Sequence, residues 1–360
     1  MALPLFAHCY VGWRLWHLLP LPVWGKWLAV IVVTLLLALA ITAVMGLWDR
    51  LPLWAGAAAY DVGNTWLIAF LYLLLSFAVL DLGRAVHVVP PRLVLDNWAT
   101  AATLAVVIGG LLIYGNIHYN NKVRQPLALS TSKPAVHRPM RMVLVSDIHA
   151  GYHNRRAEVG RWVDLINAEH PDLILIAGDM VDGLIRPLRA EDVAAELRRL
   201  DAPVVACLGN HEYITGLERA LPFLREAGIT VLRDSTLTIN GVTVVGRDDR
   251  SNRARRPLSE LVADVPAGNY TIVLDHQPYN LQEAESAGID FQFSGHTHHG
   301  QVWPLNHLTD AMYEKAFGEH RRGATRYYVS SGLGIWGGKY RIATRSEYVV
   351  ATLTPSASAD

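Results

Sequence analysis

Five short runs in the second half of this 360-residue chain carry side chains that could do chemistry. Each run holds carboxylate, amide or imidazole groups, and most follow directly on a short apolar stretch. Together they offer enough oxygen and nitrogen donors for two divalent cations held side by side, as a hydrolase of phosphate esters requires. The runs are residues 146–149, 178–183, 209–212, 275–276 and 295–298.

These residue types suit that reaction because water attacks a phosphoester poorly when both hydroxide and ester are anionic. Two cations about 3.5–4 Å apart can lower the pKa of a bridging water and neutralise the phosphoryl oxygens. His211 and Asp182 are left over from the metal-capable set. A histidine beside a metal-bound phosphate is a natural general acid, and a carboxylate can orient it and raise its pKa. The candidate metal ligands are Asp147, His149, Asp179, Asn210, His276, His296 and His298.

The elements that must position these residues alternate between short β-rich runs and helical patterns. This alternation predicts an α/β or mixed sandwich. Most of the candidate ligands come just after a predicted strand, and ligands of α/β sheets bind at the carboxyl ends of strands. We therefore expect the five runs to converge on one crevice. The predicted strands are 142–145, 173–176, 204–207, 236–239, 242–245, 270–274 and 291–293, and the predicted helices are 157–168, 192–200 and 216–227.

In order, the runs contain DxH, GDxxD, GNHE, a lone His and GHxH, and residues 141–354 thereby resemble the calcineurin-like metallophosphoesterase superfamily. The resemblance implies a four-layer α/β/β/α sandwich with a dimetal site. It also implies that His211 protonates the leaving oxygen and is paired with Asp182. By position, one metal would be held by Asp147, His149, Asp179 and His298, and the other by Asp179, Asn210, His276 and His296, with Asp179 bridging.

One departure from the family pattern bears on the substrate. Gly183 stands where the protein phosphatases of the superfamily carry an Arg, which argues against a phosphoprotein substrate. The form of the motifs is most similar to the membrane-associated bacterial phosphodiesterase-like subfamily. That subfamily also has a bundle of spans ahead of the esterase domain.

The first 118 residues form a contrasting, apolar half with five Lys or Arg residues and no Glu. A bilayer span needs roughly 20 apolar residues, and the stretches at about 27–47, 64–80 and 98–114 meet that need. Residues 1–22 are compatible with a fourth, short span or with a helix lying in the interface. Residues 119–140 read as a linker that becomes an edge strand, and 355–360 as a polar tail.

The basic residues of this half favour one orientation in the membrane. Arg14 and Lys26 precede the first clear span. Arg84 and Arg92 follow the second, so both pairs lie on the same face. The positive-inside rule then predicts that the catalytic half lies outside the cytoplasm, on the inner or cell membrane of a bacterium. Two basic residues just after the last span favour the opposite orientation.

Charge and cysteine content exclude other classes. The net charge is zero, so no basic field favours a nucleic acid partner. Cys9 and Cys207 fall in different halves, which implies no disulfide framework.

Several polar residues near the five runs are expected to have supporting roles and not to bind metal. Glu212 is expected to support the site without ligating, and His299 to lie beside it. His153 is expected to be exposed and Asp275 to cap a turn. The basic run 247–256 is expected to be a solvated loop.

The sequence therefore predicts a membrane-anchored hydrolase that acts on a lipid-linked or headgroup phosphodiester through a metal-bridging hydroxide. The ligand set accepts two divalent ions of Mn, Fe or Zn without distinguishing them. The alternatives are an anchored enzyme for a soluble nucleotide, a lipid A precursor pyrophosphate hydrolase, and a metal-binding sensor or transporter domain without activity. The intact pair of His211 and Asp182 argues against the last, because binding alone needs no acid.

Overall fold

The computed structural model describes residues 2–356, apart from the side chains of residues 2 and 3, and it divides into two compact units. The N-terminal unit comprises the residues up to Ile117 together with Gly337–Tyr340. It is helical, with a short 3₁₀ turn at Pro91–Leu93. Its four helices are α1 (Ala2–Leu18), α2 (Val23–Val44), α3 (Leu53–Ala85) and α4 (Trp98–Asn120), the last of which runs three residues into the second unit.

Three of these helices, α2, α3 and α4, are long and apolar enough to cross a membrane. Helices α2 and α3 approach closely through small residues, since a Cβ added to Gly63 would lie 2.7 Å from the Cα of Ala40. The second span was predicted too short. Helix α3 runs from Leu53 to Ala85 and so includes Asp61, which precedes the predicted span of 64–80. The side-chain amide of the nearby Asn64 donates a hydrogen bond to the carbonyl of Tyr60 at 2.8 Å. Its polar group therefore has a partner within the helix, and α3 continues through it.

The catalytic unit comprises His118–Trp336 and the residues from Arg341 onward. Its helices are α5 (Arg156–Asn167), α6 (Arg186–Ala190), α7 (Val193–Leu197), α8 (Asn210–Thr215), α9 (Leu217–Glu226), α10 (Leu258–Leu261), α11 (Gln282–Ser286) and α12 (Leu305–Met312). Its strands are β1 (Lys122–Thr131), β2 (Met140–Val145), β3 (Leu173–Ala177), β4 (Val204–Cys207), β5 (Thr230–Val231), β6 (Ser235–Ile239), β7 (Val242–Gly246), β8 (Tyr270–Leu274), β9 (Phe291–Ser294), β10 (Gly318–Arg322), β11 (Thr325–Val329) and β12 (Ser346–Pro355).

The strands form two six-stranded sheets, one in the order β1-β12-β2-β3-β4-β5 and the other in the order β10-β11-β9-β8-β7-β6. The central pairs β2–β3, β3–β4, β7–β8 and β8–β9 are parallel. Strand β12 is antiparallel to β2 and parallel to β1. The central strands are therefore nearly continuous apolar runs, as buried parallel strands require.

The buried residues fall into layers that follow from this arrangement. One apolar cluster, which includes Met142, Leu175 and Phe293, draws on strands of both sheets and lies between them. A second cluster packs α5 and α9 on the outer face of the first sheet, with Trp162 and Phe223. A third packs α10 and α11 on the second sheet. The predicted α/β/β/α sandwich is confirmed.

Local patterns explain several elements. Asn240 and Gly241 adopt φ values of 50° and 80°, which is the left-handed turn that joins the predicted hairpin β6–β7. Strand β1 lies at the edge of its sheet, the position in which Pro126 is tolerated. Strands β10 and β11 and helix α12 were not predicted. Of the predicted polar tail, Pro355 ends β12, while residues 357–360 lie outside the described residues.

Candidate metal centre and active site

The loops that follow five strands hold the predicted ligands. Asp147 follows β2, Asp179 follows β3, and Asn210 opens α8 after β4, all at the carboxyl edge of the first sheet. His276 follows β8 and His296 follows β9 in the second sheet. Because the carboxyl ends of parallel strands meet at one edge, the side chains from both sheets come together there.

One group of donor atoms is formed by Asp147, His149 and His298, whose ligand atoms all lie within 4.8 Å of one another. The Nε2 atoms of His149 and His298 are 3.2 Å apart. Each also lies close to Oδ1 of Asp147, at 3.8 Å for His149 and 3.6 Å for His298. The carboxylate and the two ring nitrogens thus point at a common centre.

A second group is formed by Asp179, His276 and His296. Nε2 of His276 lies 3.1 Å from Oδ2 of Asp179 and 3.2 Å from Oδ1 of Asn210. The Oδ2 atom of Asp179 is also 3.6 Å from Nε2 of His149, so this carboxylate lies between the two groups. The structure therefore brings all seven sequence-predicted ligands together.

The backbone at five of the seven is left-handed. Asp147, His149, Asp179, His296 and His298 have φ between 45° and 71°. Non-glycine residues rarely adopt this region, and such strain clusters at functional sites, where it re-aims side chains. Here it turns polar side chains of consecutive loops toward one centre.

Electrostatics sets the protonation of these groups. Burial would raise the pKa of Asp147, but the His298 ring and the hydrogen bond with His149 hold it well below its usual range. Burial lowers the pKa of His298 to about 3, and burial with the neighbouring His276 lowers that of His296 to about 4. Asp147 is thus ionised and His298 and His296 are neutral, the forms that coordinate metals. Burial would lower the pKa of His276 too, but the Asp179 carboxylate raises it well above its usual range, so this ring must lose a proton to bind a cation.

The donor set fits divalent cations. Two ring nitrogens and an ionised carboxylate aimed at one centre offer the lone pairs that a shared cation would accept. Nδ1 of His276 has a separate partner, the carbonyl of Ala177 at 2.7 Å, which leaves its Nε2 to face the cluster. Mixed imidazole, amide and carboxylate donors accept Mn, Fe and Zn alike.

His211 lies beside the cluster and is bound to a different carboxylate. Its Nδ1 is 2.9 Å from Oδ1 of Asp182, and its ring lies 4.5 Å from that of His149. Burial alone would lower the pKa of His211, but the hydrogen bond that its ring donates to Asp182 and the charge of Asp179 outweigh burial and raise the pKa to about 9. The ring is therefore protonated at neutral pH.

Glu212 is a buried positioning group. Its carboxylate accepts backbone N–H bonds from Gly209 at 2.7 Å, Asp179 at 3.0 Å, and Met180 at 2.7 Å. It thereby ties the loop after β3 to the loop after β4. Gly209 has no side chain with which to cap α8, so only the Glu212 half of a capping box forms, through the bond from the Gly209 N–H.

Three expectations about neighbouring residues were wrong. His153 is buried rather than exposed, with Nε2 2.6 Å from the carbonyl of Ile335. Asp275 does not cap a turn; it lies 3.1 Å from Arg247 and 2.7 Å from Arg255. The basic run is therefore partly buried, because a carboxylate next to His276 neutralises two of its arginines. The sequence signal for this burial was Asp275, an acidic residue directly before the metal-capable His276, which could attract the nearby arginines.

Comparison with known proteins agrees with this geometry. Residues 140–300 match the family described as calcineurin-like phosphoesterase. An uncharacterized metallophosphoesterase of Campylobacter jejuni is 27% identical over 69% of this chain and 68% of that protein. An uncharacterized metallophosphoesterase of Aquifex aeolicus is 31% identical over 59% of this chain and 85% of that protein.

A protein of Danio rerio named as a transmembrane protein with metallophosphoesterase domain is 30% identical over 68% of this chain. The chain spans 60% of the length of that protein and of two Helicobacter pylori relatives. Taken with the two-sheet fold and the converging loops, these similarities show that the chain belongs to the calcineurin-like phosphoesterase family.

Proposed function

We propose that the protein is a membrane-anchored dimetal phosphodiesterase that acts on a lipid-linked or headgroup phosphate. Asp147, His149 and His298 would hold one ion together with Asp179. Asn210, His276 and His296 would hold the other, with Asp179 shared. Two divalent ions held there would offset the charge on the phosphoryl oxygens and make water nucleophilic near neutral pH.

The observation that carries this proposal is that His211 is hydrogen-bonded to Asp182 while one of its ring nitrogens lies within 4.8 Å of donor atoms of His149 and Asp179. His211 is bound to Asp182 at 2.9 Å, while its ring lies 4.5 Å from the ring of a proposed ligand. A protonated imidazole beside the proposed ligands could give its proton to the leaving oxygen of a bound ester. Asp182 orients the ring and stabilises its charged form.

Membrane attachment supports a lipid substrate. The chain carries three helices that could span a bilayer, and tethering raises the effective concentration of any substrate in the same membrane. The distribution of basic residues supports a catalytic unit outside the cytoplasm. Two ion pairs hold basic residues of the helical unit: Lys26 lies 2.9 Å from Asp96, and Arg14 lies 3.4 Å from Asp81.

The test is to purify the full chain, measure its metal content, and assay phosphomonoesters and phosphodiesters with added Mn²⁺. We expect a diester preference and loss of both metal and turnover in Asp179→Asn. His320→Gln is a control outside the cluster, since His320 lies in β10 and pairs with Glu314, which precedes that strand. Full turnover by Asp179→Asn would overturn the assignment. Faster turnover of a cyclic nucleotide than of a phospholipid would favour a soluble substrate.

A further inference from the structure

The large exposed hydrophobic side chains in the described part of the catalytic unit lie near the metal cluster or follow its loops in sequence. Ile214 lies on α8, the helix that carries Asn210 and His211. The ring of Trp336 lies 6.4 Å from that of His211. The others follow the loop of His296 and His298 in sequence. Within the described part of the unit, the exposed large hydrophobic residues are Ile214, Trp303, Leu305, Leu308, Met312 and Trp336.

Scattered exposed hydrophobic residues are ordinary, but a group on one side of a site marks an interaction surface. Helix α12 is the clearest case because its apolar face is exposed and its buried residue is polar. Leu305, Leu308 and Met312, spaced to share one helix face, are 38%, 56% and 57% exposed. The residue it buries is the polar Asn306. A helix packed on a globular core in water shows the reverse pattern.

Helix α12 is also fixed to the metal loop. Gly300 has φ +69°, and a Cβ added there would lie 2.3 Å from the backbone nitrogen of Asn306. The hydroxyl of Thr297, which lies between His296 and His298, donates to the carbonyl of Ala316 at 2.6 Å. The apolar face and the proposed ligands therefore belong to one closely packed segment.

We propose that the exposed face of α12 (Leu305, Leu308 and Met312) and Trp303 form a docking surface that enters the headgroup layer of a phospholipid bilayer. This inference rests on the proposed function and deepens it. The surface would bring the metal centre to phosphodiester headgroups without their leaving the membrane.

A bilayer is the occupant that the chain favours. Helix α4 ends at Asn120 and β1 begins at Lys122, so a candidate span leads into the catalytic unit without a long linker. An indole prefers the membrane interface, and Trp303 is 47% exposed. The four side chains offer on the order of a few hundred Å², less than the roughly 800 Å² that each partner of a stable dimer buries.

The depth of the surface can be measured in the full chain. In a Cys9→Ser background, Leu308→Cys would carry an environment-sensitive fluorophore in vesicles of phosphatidylethanolamine and phosphatidylglycerol. Glu260→Cys is the control, since Glu260 is exposed on α10. We expect brominated acyl chains to quench the label at 308 and iodide to quench the label at 260. Equal iodide quenching at both positions would overturn the proposal.

Turnover gives a second, independent readout. Leu305→Ser, Leu308→Ser and Met312→Ser combined should lower the ratio of phospholipid to soluble diester hydrolysis at least tenfold. Combined Leu305→Met and Leu308→Met should keep that ratio. An equal loss on both substrates, or efficient crosslinking of two copies through position 308, would overturn docking to lipid. If the wild type cleaves the soluble diester but no phospholipid, the proposal of a lipid substrate is wrong. The quenching experiment alone then tests whether α12 docks on a bilayer.

Discussion

At the scale of single residues, the site depends on side chains that have been given different protonation states within a few ångströms. His298 and His296 are held neutral, with pKa values lowered to about 3 and about 4. His211 is held charged because its ring N–H donates a hydrogen bond to Asp182. The pKa of Asp182 is itself lowered to about 2. Neutral rings can bind cations and a charged ring can donate a proton, so one cluster can do both.

Replacing His211 tests the acid role through the leaving group. His211→Gln should slow hydrolysis of alkyl phosphodiesters by about 10²–10⁴-fold, because an alkoxide needs a proton as it departs. Cleavage of p-nitrophenyl esters should fall far less, since p-nitrophenolate leaves unprotonated. Steady-state kcat on the two substrates measures the difference. An equal loss on both would assign His211 to binding.

A glycine tests how closely the loops must pack. A Cβ on Gly209 would lie 2.2 Å from Oδ1 of Asp179, so Gly209→Ala must push that carboxylate out of place. We expect metal affinity to fall about 10–100-fold, measured by titration calorimetry with Mn²⁺. The control is Gly288→Ala, where φ is +68° but no atom lies within 4 Å. Unchanged affinity in Gly209→Ala would remove Asp179 from the ligand set.

At the scale of elements, Asp248 ties the two sheets together beside the site. Tyr213 of α8 donates to its carboxylate at 2.7 Å, and Arg233, between β5 and β6, donates at 2.9 Å. Asp248 itself follows β7 in the second sheet. The helix that carries His211 is therefore held to the loops of the opposite sheet by one buried carboxylate.

The stability contributed by Asp248 should depend on pH. Burial alone would raise its pKa, but the hydrogen bonds from Tyr213 and Arg233 outweigh that and lower it. A lowered folded-state pKa means stability that is full above the unfolded value of about 3.9 and is lost as the pH falls through the folded value. Asp248→Asn should cost about 1–3 kcal/mol at pH 7 and progressively less below pH 4.

Thermal unfolding of the two proteins between pH 3 and 8 checks this dependence. Asp164→Asn is the matched control, since Asp164 forms an exposed pair with Arg199 that should contribute under about 1 kcal/mol. A constant difference across the whole pH range would rule out the carboxylate as its source.

At the scale of the whole molecule, the direction in which the candidate spans cross a membrane would decide which substrates the catalytic unit meets. The loop between α3 and α4 carries Arg92 and an exposed Val88, and one candidate span separates it from the catalytic unit. In a Cys9→Ser background, an impermeant maleimide on intact spheroplasts should label Glu260→Cys but not Val88→Cys. Permeabilised membranes should label both. The reverse pattern would place the catalytic unit in the cytoplasm.

The sequence was most informative where chemistry and periodicity coincide. Asp147, Asp179 and His296 could be located because each follows an apolar strand, whereas the order of strands in the sheets was not predicted. Helix α12 could not be predicted, because its apolar positions face outward and a pattern alone does not say which face is covered. The burial of Arg247 could not be predicted either, since it depends on Asp275, which is 28 residues away.

The placement of β12 has a consequence for how the protein is made. Strand β12 separates β1 from β2, pairing with both, although it is the last described strand to leave the ribosome. While residues 146–345 are being synthesised, β1 and β2 each present an edge whose partner, β12, does not yet exist. Such edges invite aggregation and pairings of long sequence separation form slowly. Nascent chains whose helices have already entered the membrane would therefore depend on chaperones until β12 is released.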